Sequence, residues 1–142
     1  MIFSKLKELR EYEAKTQAEI AEVLQVQRST YAGWECGKDI IPLRKLNLFA
    51  NHFKTSLDYL IGLKPNEIIS HFIDVNVDVS AKNIKTLRKE LNLSQDELAK
   101  SINTSQANIH RYESGKALIT TNYAITLAKK YNYSLDKLAG RK

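Results

Sequence analysis

From Lys7 to Lys64 this chain is written twice, and the second copy runs from Lys85 to Lys142 with no gap between matched positions. The register, a shift of 78, is set by Gly37 with Gly115. It holds for Arg10/Arg88, Gln17/Gln95, Ala21/Ala99, Glu35/Glu113, Lys38/Lys116, Ser56/Ser134 and Leu60/Leu138. An ungapped repeat of this length means two like domains in tandem, not a solenoid of small units. The duplication also acts as an internal control. Positions where the copies agree are those the fold demands, and positions where they differ are where function diverges.

Domains of about 60 residues sit near the lower limit of independent stability, so each copy needs a helix-rich, closely packed core. At 43% hydrophobic residues the chain is globular. Its single cysteine, Cys36, excludes an internal disulfide framework and suits a reducing cytosol. No apolar run approaches the roughly 20 residues needed to span a bilayer. The start, Met-Ile-Phe-Ser-Lys-Leu-Lys, has no signal-peptide core, so a cytoplasmic protein with no membrane partner is expected. The net charge of +6 is uneven. Residues 1–64 carry +2, residues 65–81 carry −3 and residues 82–142 carry +7. The second copy therefore has the stronger electrostatic reason to meet a polyanion.

Both copies read as short helices. Leu6 and Leu9, then Ile20, Ala21 and Leu24, then Leu46, Phe49, Ala50 and Phe53 recur at helical spacing, and Ile84, Leu87, Leu98, Ala99, Ile102, Ala124, Leu127, Ala128 and Tyr131 repeat the stripe. Thr16-Gln17-Ala18-Glu19 and Ser94-Gln95-Asp96-Glu97 are capping boxes, in which hydroxyl and carboxylate satisfy each other's free backbone donors. Ser56 and Ser134 are caps for a final short helix. The pattern predicts five helices per copy, near 4–13, 17–24, 28–35, 43–53 and 57–61, and the same plus 78.

The stretch from Thr16 to Lys38, with Ile20, Ala21, Leu24, Val26, Tyr31, Trp34, Glu35 and Gly37, resembles the helix-turn-helix of the phage repressor/Cro (XRE) family. The stretch from Ser94 to Lys116 resembles it again. The resemblance covers nearly all of both copies and omits only the segment between them. It implies an all-α chain of two tandem five-helix, repressor-like domains (1–64 and 82–142) joined by a short, partly extended linker (65–81). It also implies that Arg10 with Glu35 and Arg88 with Glu113, each pair 25 residues apart, form partly buried bridges from the first helix to the end of the third.

By the same resemblance the third helix enters the major groove of double-stranded DNA with its first turn at the base edges. In the second copy that turn is Ser105-Gln106-Ala107-Asn108, with Arg111 one turn on. Gln106 suits adenine, Arg111 guanine, and Ala107 a thymine methyl. In the first copy it is Gln27-Arg28-Ser29-Thr30, with Gly33 in the slot of Arg111. Arg28 is then the guanine reader, and the two half-sites should differ. Gln17 and Gln95 match the family's backbone-clamping glutamine. Lys38, Lys116 and Arg44 are placed for phosphates, which supply affinity without reading sequence.

The first copy departs from the family pattern twice. The usual turn glycine is Gln25 there and Asn103 in the second copy, and the usual cap of the third helix is Gln27 there and Ser105 in the second. A rival reading follows, in which the first copy docks a protein partner, as an antitoxin or partner-binding regulator would, while the second anchors to DNA.

Between the copies, Pro65-Asn66-Glu67 is a helix-start pattern with Ile68, Ile69 and Phe72 as an apolar face. Ile73, Val75, Val77 and Val79 then alternate with polar residues, the signature of a half-buried strand. That strand either lies along its own domains or pairs with the same segment of a second chain to make a homodimer through 73–79. An enzyme is not expected. His52, His71 and His110 are scattered, none at metal-ligand spacing from Cys36, and there is no Gly-rich phosphate loop or nucleophile motif. No cofactor, metal or small-molecule ligand is indicated.

Overall fold

The computed structural model describes residues 4–142. The described residues are all-α, with ten helices and no strand. The first unit, Met1–Ile73, contains α1 (Ser4–Tyr12), α2 (Gln17–Val23), α3 (Arg28–Glu35), α4 (Leu43–His52) and α5 (Leu57–Leu60). The second, Asp74–Lys142, contains α6 (Val77–Glu90), α7 (Gln95–Ser101), α8 (Gln106–Glu113), α9 (Thr121–Tyr131) and α10 (Leu135–Leu138). None of these helices is long and apolar enough to cross a membrane.

Several helix starts follow from side-chain caps. Thr16 and Ser94 each accept from the backbone N–H three residues on, while Glu19 and Glu97 accept from the cap's own N–H at 3.0–3.1 Å. Ser56 and Ser134 cap α5 and α10. Helix ends follow from left-handed residues. After α1 to α5 these are Ala14, Gln25, Gly37, Lys54 and Gly62. After α6 to α10 they are Asn92, Asn103, Gly115, Asn132 and Gly140, at the same register. A left-handed residue past the last turn reverses the chain and lets the next N–H reach back to an orphan carbonyl. Lys15 does so to Arg10, Val26 to Ala21 and Thr104 to Ala99, at 2.9–3.0 Å. L-residues resist this conformation, and asparagine resists it least. The second copy uses asparagine wherever it lacks glycine; the first uses alanine, glutamine and lysine.

Each unit closes on its own core. In the first, Leu6, Ile20, Leu24, Tyr31, Ile41, Leu46, Phe49, Leu57 and Leu60 are at most 1% exposed. In the second, Ile84, Leu98, Ile109, Ile119, Leu127, Leu135 and Leu138 are equally hidden. Each such side chain contributes about 1.5–3 kcal/mol by leaving water. The result packs α2 on α3 and α7 on α8, the two helix-turn-helix pairs.

The segment between the copies differs from its sequence reading. Residues 65–73 belong to the first unit and form no helix. Their backbone groups go elsewhere. The Ile69 N–H donates to the Lys54 carbonyl at 3.0 Å, and the Asn51 side-chain amide takes both groups of Ile73, donating to its carbonyl at 2.7 Å and accepting from its N–H at 2.9 Å. The strand expected over 73–79 is absent. Asn76 instead caps α6 by accepting from the Val79 N–H at 3.0 Å, with Asp78 in the first turn, so Val77 and Val79 are helical. The homodimer ribbon expected through 73–79 would need Val77 and Val79 extended rather than helical. The alternation did mark burial: Ile73, Val75, Val77 and Val79 are all shielded while Asp74, Asn76 and Asp78 are exposed. It did not mark conformation, because a cap outweighs β-branched propensity.

Candidate nucleic-acid interface

Each unit carries a hydrogen-bonded chain that starts in the core and ends on the outer face of its third helix. In the first unit, Arg10 on α1 makes a two-pronged pair with Glu35 at the end of α3, Nε to Oε2 at 2.8 Å and Nη2 to Oε1 at 2.7 Å. Its Nη1 also donates to the Lys15 carbonyl at 2.9 Å, so one guanidinium ties α1, its exit turn and α3 together. Glu35 then accepts from Gln17 Nε2 at 3.3 Å. The other end of that amide, Oε1, accepts from Arg28 Nη1 at 3.0 Å.

The second unit repeats every link. Arg88 pairs with Glu113 at 2.7 and 3.0 Å and donates to the Leu93 carbonyl at 2.9 Å. Gln95 Nε2 donates to Glu113 at 3.4 Å, and Gln95 Oε1 accepts from Gln106 Nε2 at 3.1 Å. Facing a carboxylate fixes the orientation of each glutamine amide. It leaves one N–H of Gln17 and of Gln95 for an outside acceptor, at the first residue of α2 and of α7.

The electrostatics follow from this geometry. The Glu35 and Glu113 side chains are 4% exposed and those of Arg10 and Arg88 13%. Burial alone would raise the Glu35 carboxyl, but the bond from Arg10, the nearby Tyr31 hydroxyl and the bond from Gln17 outweigh it and hold it below the usual carboxylate value. Tyr31 itself is pushed up by burial, its hydroxyl enclosed without a well-formed hydrogen bond. Bonding to Glu35 and to Glu113 raises the Arg10 and Arg88 guanidinium groups further.

The remaining residues singled out in the sequence fall into four sets. Arg28, Ser29, Gln106 and Ala107 are exposed on the first turns of α3 and α8, and Arg111 is exposed in the last turn of α8. Lys38 and Lys116 are exposed in the loop after each third helix, and Arg44 in the first turn of α4. Ser105, exposed, and Asn108, half-buried, are engaged by local partners. The Ser105 hydroxyl accepts from the Asn108 N–H at 3.2 Å, and Asn108 Nδ2 donates to the Thr104 hydroxyl at 2.9 Å. Gln27 stands at the cap position of α3 but makes no side-chain cap bond.

A helix-turn-helix family model (HTH_3) matches residues 6–60 and again residues 84–138, together well over half of the chain. The chain belongs to the XRE-type helix-turn-helix family. It is therefore a DNA-binding regulator of the helix-turn-helix type, from a family that is typically non-enzymatic. Among curated proteins it is similar to the uncharacterized HTH-type transcriptional regulator YobD of Bacillus subtilis (strain 168). The two are 28% identical over 96 residues, covering 68% of this chain and 79% of the relative. It is also similar to the antitoxin PezA of Streptococcus pneumoniae serotype 4, at 36% identity over 59 residues, covering 42% of this chain but only 37% of that protein. No solved structure matches it significantly.

Within this family member the outer faces of α3 and α8 are not equivalent. Gly33 on α3 is covered by Asp39, whose Oδ2 lies 3.0 Å from where a Cβ on residue 33 would stand. The equivalents in the second unit are Arg111 and Ala117. Sequence reading noticed the missing side chain at Gly33 but not the carboxylate that fills the space. The signal was available, since Gly33/Arg111 and Asp39/Ala117 differ together at the same register.

Proposed function

We propose that the chain is a transcriptional regulator that reads two unequal half-sites of duplex DNA, one with each unit, and so acts as its own pseudo-dimer. The observation that carries this reading is the pair of matching relays. The same Arg–Glu–Gln chain presents Arg28 on one outer face and Gln106 on the other. A relay repeated in both copies but ending in chemically different residues suits one scaffold reading two different bases, guanine by Arg28 and adenine by Gln106. Phosphate contacts come from Gln17, Lys38 and Arg44 in the first unit and from Gln95 and Lys116 in the second. Ser29, Ala107 and Arg111 complete the base-reading set, while Gln27, Ser105 and Asn108 shape it. Occupation of an operator near a promoter then represses by excluding polymerase, in the cytoplasm and on the nucleoid.

Genomic-fragment selection with the whole protein, followed by footprinting of the best fragment, tests the reading. Two protected half-sites of different sequence, about one helical turn apart, are expected. A single protected half-site favours the second reading, in which the first unit docks a protein partner. That reading draws on the uncapped Gln27, the lower charge of residues 1–64 and the similarity to an antitoxin.

A further inference from the structure

We infer that Asp39 is a specificity-determining residue of the first unit, accepting from the exocyclic amino group of a cytosine at the place where Arg111 of the second unit meets guanine. The inference rests on the tandem reading above.

Residue 33 lies one helical turn after Ser29 and shares its outward face, just as Arg111 follows Ala107. Yet Gly33 is buried and Asp39 is exposed, because the Asp39 carboxylate lies across the glycine. The backbone sets this up. In the second unit the Lys116 N–H takes the Arg111 carbonyl at 3.1 Å. In the first, the Gly33 carbonyl is instead taken by the N–H of Asp39, one residue further along than the equivalent Lys38, at 3.1 Å. The exit loop is thereby drawn over α3, and the absence of a side chain at residue 33 leaves room for the carboxylate. Any Cβ there would press on Oδ2 at 3.0 Å.

Two linked differences between the copies, Arg111 to Gly33 and Ala117 to Asp39, therefore replace a donor by an acceptor at one spot on the reading face. A carboxylate offers acceptors only. In the major groove guanine presents two acceptors and would repel it. Adenine sets an acceptor beside its amino group, whereas cytosine presents the N4 amino donor alone. Cytosine is the base this surface fits.

The test is selection from a library randomised across both half-sites, using the full chain as wild type, D39A, D39N and the double variant G33R/D39A. Thermal unfolding confirms that each variant is folded. The half-site belonging to the first unit is the one whose profile changes in R28A. Wild type should select cytosine at one position of that half-site. D39A should lower this preference about tenfold, the low end for one good base contact, and leave every other position unchanged. D39N, which adds a donor, should lose discrimination against guanine, and G33R/D39A should select guanine instead. If D39A shifts affinity for all sequences by one factor with preferences intact, Asp39 merely repels phosphates and the inference fails alone. If only the second unit's half-site is ever selected, both the inference and the tandem reading fall. If no sequence is selected at all, sequence-specific reading by either unit falls.

Discussion

Gln106 donates to Gln95 at 3.1 Å, so the side chain proposed to read a base and the one proposed to hold a phosphate form one unit. Removing the clamp should therefore disturb the reading. Gln95→Ala is expected to weaken binding to every sequence and also to flatten preference at the base read by Gln106. Lys116→Ala should weaken all sequences equally and lower the salt slope of binding by about 1. Titrations at several salt concentrations, on matched and single-mismatch operators, separate the two effects.

Arg10 and Glu35 hold the first unit together across 25 residues of chain. Arg10→Ala leaves a carboxylate enclosed without its partner and should cost about 3–5 kcal/mol. The only tryptophan, Trp34, lies in α3 beside this pair, so its fluorescence reports unfolding of the first unit.

The same pair makes the first unit acid-sensitive. The folded Glu35 carboxyl sits below its ordinary value of 4.5, so its contribution to stability is complete above that value and is lost as pH falls through the folded one. Trp34-detected denaturant midpoints should fall steadily on acidification below about pH 5. In Glu35→Gln they should start lower at neutral pH and lose less on acidification. Equal acid slopes for the two proteins would contradict the assignment.

The helix pattern was legible because the signals that start and stop these helices are local and written twice. Thr16, Ser94, Ser56 and Ser134 cap as their sequence context indicates. The start of α6 was not legible. Residues before Val79 have no counterpart in the first copy, so the internal comparison was silent where Asn76 begins the helix. The docking of 65–73 was hidden for a different reason. It depends on the Asn51 amide imitating a backbone strand, a contact across 22 residues that no periodicity reports. The hydrogen bonds that link Gln17 to Arg28 and Gln95 to Gln106 were not legible, because they need the angle between paired helices.

The left-handed turn between α2 and α3 offers a reciprocal exchange. Gln25 has φ 57° and Asn103 has φ 63° at equivalent positions. Gln25→Asn should stabilise the first unit by about 0.5–1 kcal/mol, and Asn103→Gln should destabilise the second by a similar amount. Trp34 fluorescence follows the first exchange and amide hydrogen exchange of α7 and α8 the second.

Gly62 and Gly140 end α5 and α10 in the same left-handed conformation, at φ 78° and 76°, but in different surroundings. Nothing lies within 4 Å of a Cβ added to Gly62, whereas one on Gly140 would overlap the Asn76 carbonyl at the start of α6. Gly62→Ala should cost about 1 kcal/mol from backbone strain, and Gly140→Ala about 3 kcal/mol, since the start of α6 must also move. Urea unfolding of the two variants, each read in its own unit, measures the difference.

Side-by-side base-preference profiles of Arg28→Ala and Gln106→Ala on the selected operator most directly test whether both units read DNA. Each substitution should remove about 1–3 kcal/mol of discrimination at one position, and the two positions should lie in different half-sites. If Arg28→Ala leaves both profile and affinity unchanged while Gln106→Ala does not, only the second unit reads sequence.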